Sequence, residues 1–72
     1  MIFKLFFQNS RDERKFITDF DDMEQAFALI HADLKTRAPN FKSYYTRSWQ
    51  ENSKEIYYDV GSHTEFYVVV KE

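Results

Sequence analysis

The stretch DVGSHTE, residues 59–65, gathers Asp59, Ser62 and His63, the side-chain types of a hydrolase triad. A triad requires the imidazole to hydrogen-bond the hydroxyl on one side and the carboxylate on the other, with amide donors beside the nucleophile. Ser62 and His63 are adjacent, and adjacent residues rarely turn their side chains towards each other. The pattern places no helix after Ser62 to supply amide donors, and there is no G-x-S-x-G elbow. The spacing therefore argues against nucleophilic catalysis. His31, His63, Asp59 and Glu65 are the candidate metal ligands, but the chain has no cysteine, no HExxH and no His pair at one-turn spacing. His31 lies at the border of a helical apolar stripe, four residues after Phe27, and reads as a half-buried structural histidine. A single glycine excludes a phosphate-cradling loop and a dinucleotide fingerprint. The expectation is a non-enzymatic protein with no catalytic residues, no metal and no cofactor.

The same stretch is better read as a connection between strands. Gly61 tolerates the positive φ that hairpin turns and bulges require. Flanking Asp and Ser side chains can hydrogen-bond a turn backbone. His63 then sits exposed at a hairpin tip, as a candidate contact residue.

The elements around it follow from periodicity. Residues 1–8, MIFKLFFQ, form a strand with Met1, Phe3, Leu5 and Phe7 on one face. NSRDER is a polar turn, and KFITDF, 15–20, is a short β-leaning segment able to pair with the first strand. Residues 21–38 form the one clear helix, with Met23, Ala26, Phe27, Ile30 and Leu34 at helical spacing. Asp21 is its expected N-cap and Glu24 the capping-box partner. Lys35 and Arg37 suit its C-terminal end, and Pro39 stops it. Three strands follow, FKSYYTRSWQ (41–50), EIYYDVG (55–61) and FYVVVK (66–71), joined by ENSK and SHTE as an antiparallel meander. The expected fold class is α+β in two layers, one helix packed on a four- to five-stranded, mainly antiparallel sheet in the order β(β)αβββ. Residues 1–72 make one domain.

Seventy-two residues bury only about 60% of the surface the unfolded chain exposes. Without cysteine, stability rests on aromatic bulk: eight Phe, five Tyr and one Trp. No run reaches the roughly 18 apolar residues of a membrane span, and MIFKLFFQNSRDE lacks the layout of a secretory signal. A cytoplasmic protein with no membrane partner is expected. The net charge of −2 argues against a nucleic-acid mimic. Charge is nonetheless uneven: Asp19, Asp21, Asp22 and Glu24 cluster, whereas 34–50 carries Lys35, Arg37, Lys42 and Arg47 with no acid.

One helix covers one face of a sheet. The other face must keep aromatic rings, and the first assignment places Tyr45, Arg47, Trp49, Tyr57 and Tyr67 there, with Lys4 and Phe6. The opposite assignment leaves Tyr44, Tyr58 and Phe66 outside instead. Tyr, Trp and Arg are enriched in interface hot spots, so the expected activity is recognition of a partner protein, or of a second copy, through an aromatic and basic face. Lys42, Tyr45, Arg47, Trp49, Tyr57, Tyr67 and His63 are the candidate binding residues. Single-stranded nucleic acid is the second reading, since rings stack bases and Lys or Arg engages phosphate. Against it stand the negative net charge and the lack of an RNP-type motif.

MIFKLFFQ resembles the start of the small epsilon subunit of Gram-positive RNA polymerase, which implies an accessory subunit of a transcription complex. NFKSYYTRSW with DVGSHTEFYVVV resembles small uncharacterised proteins of phages and mobile elements of Gram-positive bacteria. That second resemblance implies an accessory protein that acts by binding a host component.

Overall fold

The computed structural model describes residues 2–37, 47–60 and 64–71. They form strands β1 (Phe3–Gln8) and β2 (Arg14–Phe20), helix α1 (Ala26–Arg37), and strands β3 (Arg47–Gln50), β4 (Glu55–Asp59) and β5 (Phe66–Lys71). A 3-10 turn, Met23–Gln25, leads into the helix. The five strands make one antiparallel sheet in the order β2-β1-β5-β4-β3, so the fold is α+β. The expected turn at Gly61, the tip histidine His63, the stop at Pro39 and the 41–46 part of the third strand lie outside the described residues.

The first hairpin is built by Asn9. Its Oδ1 accepts from the backbone N–H of Arg11 at 2.9 Å and of Glu13 at 3.0 Å. Asp12 takes φ 63°, the left-handed region that a three-residue hairpin loop demands of its last residue. β2 is therefore a strand of seven residues paired along all of β1. The register slips between Leu5 and Phe6, leaving Ile17 as an extra residue. This bulge sends Ile17 towards the buried cluster while Phe16 meets Phe6 on the opposite face, ring centroids 5.7 Å apart.

The acidic run caps the helical segment one residue later than expected. Asp22, not Asp21, accepts from Glu24 N–H through Oδ1 at 3.0 Å. Ala26 and Ile30 are fully buried in one cluster with Phe3, Leu5, Phe20, Tyr58, Val60, Tyr67 and Val69. Met23, Leu29 and Leu34 pack against it. Phe27, expected in the apolar stripe, is 46% exposed and touches only the edge of the cluster through Tyr58, at 5.3 Å. The stripe centres on Ala26, Leu29, Ile30 and Asp33, which rotates His31 into solvent; it is exposed, not half-buried.

Asp33 joins helix to sheet. Its Oδ2 accepts from the Tyr67 hydroxyl at 2.7 Å and from Arg37 Nε at 3.0 Å. The Arg37 guanidinium also lies 3.9 Å from the Phe7 ring centroid. Burial, and then the hydrogen bond to Asp33, push the Tyr67 hydroxyl above the usual phenol range, so it stays a donor.

Candidate interaction face

The strand registers line up the side chains of the face away from the helix in three rows. The central row runs Phe16, Phe6, Val68, Tyr57, Trp49, one residue from each strand. It is an apolar stripe as wide as the whole sheet. One flanking row holds Asp19, Lys4, Val70 and Glu55. The other holds Arg14, Gln8 and Phe66, and on the neighbouring pair Asp59 and Arg47.

The rings of the stripe support one another. Trp49 stands 5.9 Å from Tyr57 and 5.7 Å from Phe66, and Tyr57 stands 5.9 Å from Phe66. Trp49 Nε1–H donates to Glu51 at 2.7 Å, which fixes the indole. At the β2 end Phe16 is 51% exposed. In the centre Val68 has no exposed surface, although it does not belong to the helix-side cluster.

The flanking charges explain that burial. Arg14 Nη1 donates to Glu55 Oε2 at 2.6 Å, and Nη2 to the Tyr57 hydroxyl at 3.0 Å, while Nε donates to Gln8 at 2.8 Å. Arg14 and Glu55 belong to opposite rows and to strands separated by two others. In a flat sheet their Cα atoms would lie about 19 Å apart, from the spacing between strands and the rise along them. The pair therefore demands a sheet strongly coiled towards this face, and it crosses the central stripe diagonally. The Arg14 hydrogen bond, and then that of Asn52, hold the Glu55 carboxyl below its ordinary value.

At the other end Arg47 Nη2 donates to Asp59 Oδ2 at 3.1 Å. The Asp59 side chain is fully buried, whereas that of Arg47 is 64% exposed. The Arg47 guanidinium lies 5.4 Å from the Trp49 ring centroid. Asp59, whose type first suggested a triad, is thus an ion-pair partner within the sheet. Among the described residues no three His, Asp or Glu side chains gather as a metal site. No helix among them is long and apolar enough to cross a membrane.

Of the candidate binding residues, Arg47, Trp49 and Tyr57 share this face, with Lys4 and Phe6 as expected. Tyr67 does not. It is 1% exposed on the opposite face, because Tyr58 pairs with Tyr67 and Tyr57 with Val68. Lys42, Tyr45 and His63 lie outside the described residues. A signal for Tyr67 was present in the loop length. An even-numbered loop between antiparallel strands pairs odd residues with even ones, so Tyr57 cannot oppose Tyr67. Phe66, expected outside only under the opposite assignment, stands on this face as well, and so do Phe16 and Arg14, residues of the β-leaning segment and the polar turn that were not counted as binding residues.

Comparison of the chain with protein families, with curated proteins and with solved structures gives no match in any of the three.

Proposed function

We propose that this chain is a two-layer α+β recognition module without catalytic activity, acting in the cytoplasm, that binds a partner protein through the face away from its helix. The observation that carries the reading is the apolar stripe Phe16–Phe6–Val68–Tyr57–Trp49, which spans all five strands between two rows that are charged or polar except at Val70 and Phe66. An apolar centre with a polar rim is the anatomy of protein–protein interfaces. Tyr57, Trp49 and Arg47 supply the residue types that dominate interface energetics, and among the described rings Phe16 is the one left most open to a partner. The sequence likeness to phage and mobile-element proteins fits an accessory protein of this kind.

Single-stranded nucleic acid is the weaker reading on the same face. Its rings could stack bases, but Arg14 is paired with Glu55 and Arg47 with Asp59. A phosphate would have to displace a carboxylate from each arginine, so little is gained from counterion release. Titration with mixed single-stranded oligonucleotides, followed by the fluorescence of Trp49, separates the two. The protein-binding reading expects no saturable change. Micromolar binding that weakens steeply with added salt would overturn it.

A further inference from the structure

A second concave surface lies on the helix side of the sheet and shares no residue with the central stripe, although Asp19 also stands in a row that flanks it. It is an open groove of about 560 Å³ where the start of β1 and the end of β2 meet the first turns of the helix. Ile2, Phe20, Ala28 and Leu29 form its apolar part, and Asp19 and Asp21 also line it. Ile2 is 53% exposed there, more than any other large apolar side chain among the described residues. Asp19 and Asp21 are exposed, and neither carboxylate has an ion-pair or hydrogen-bond partner among the described residues. In the acidic run of which they are part, Asp22 has a structural task, capping the helical segment. Among the described residues no lysine or arginine lines the groove.

We propose that this groove is a separate recognition surface for a segment of a partner protein in which an apolar side chain is flanked by lysine or arginine. The apolar walls desolvate a Leu-, Ile- or Met-sized side chain, and the two unmatched carboxylates complement the flanking cation. Acidic lining with no basic side chain among the described residues repels nucleic acid and anionic lipid, which leaves a basic protein segment as the occupant. Recognition runs through side chains and not through an added strand. The bulge at Ile17 and the charged Arg14 and Lys15 blunt β2 as a template for backbone pairing.

The test is to pan a random-peptide display library on the intact chain and to measure the enriched peptides by fluorescence polarisation. Peptides with Leu, Ile, Met or Phe beside Lys or Arg are expected to emerge. Asp21→Lys should weaken them by about tenfold or more, and Ala28→Arg, which fills the groove, should abolish binding. Phe16→Asp, on the stripe, should leave it unchanged. Both groove positions are exposed, so circular dichroism should match the parent; if Ala28→Arg fails to fold, Asp21→Lys decides. The proposal is overturned if no peptide enriches, if the enriched peptides lack basic residues, or if their binding survives the folded groove variants. Binding lost in Phe16→Asp and kept in Asp21→Lys would overturn it too, and would assign those peptides to the stripe.

Discussion

On the helix side of the sheet, Leu5, Val69 and Ile30 are inaccessible because carbon packs on carbon. On the other side Val68 is equally inaccessible, yet the closure there is made by rings in mutual contact and by the diagonal pair of Arg14 with Glu55. Adjacent residues of one strand, Val68 and Val69, are thus buried by different physics. Aliphatic packing responds little to pH and is costly to open, whereas an ion pair with side chains 30% and 22% exposed is weak and screened by salt. A face closed that way can be opened by a partner at small expense. The contrast separates a core that maintains the fold from a surface suited to recognition.

The largest expected effect lies on the helix side. Leu5→Ala removes a fully buried side chain and should cost about 2–5 kcal/mol in urea unfolding, within reach of the whole stability of a domain this small. A loss under about 1 kcal/mol would mean that the cluster is not the core. Tyr67→Phe should cost less, about 0.5–1.5 kcal/mol, because Asp33 keeps Arg37 when it loses the hydroxyl. No loss would remove Asp33 as the link between helix and sheet.

The smallest effect is on the stripe side, and pH reveals it. Arg14, and then Asn52, lower the folded pKa of Glu55. Its stabilisation is therefore full above the unfolded value of about 4.3 and is lost as pH falls through the folded value. Glu55→Gln should cost about 0.2–1 kcal/mol at pH 7, and its unfolding midpoint should fall less steeply than the parent's below about pH 4.3. Parallel pH curves would show that the Arg14–Glu55 pair contributes nothing.

Much of the fold was legible because it is local. Period two marks Phe3 and Leu5 on one side of β1, helical spacing marks Ala26 and Ile30, and β5 runs over the residues expected of it. The cap fell one residue later than expected, on the 3-10 turn ahead of α1, because Asp21 and Asp22 are equally able caps by type, and only backbone geometry selects Asp22. The face was legible in part. Arg47, Trp49 and Tyr57 fall together, but alternation alone assigns two faces to each strand without matching them between strands, and so Tyr67 was misplaced. Arg14 was beyond a local reading, since its partner Glu55 is 41 residues away and is reached only because the sheet coils.

Site-specific photocrosslinking in cells that naturally carry this chain tests most directly whether the stripe meets a protein. A benzophenone side chain in place of Phe16 should give a discrete protein adduct, and the same probe in place of the exposed His31 on the helix should not. No adduct from position 16, an equal adduct from position 31, or an adduct to nucleic acid would contradict the account.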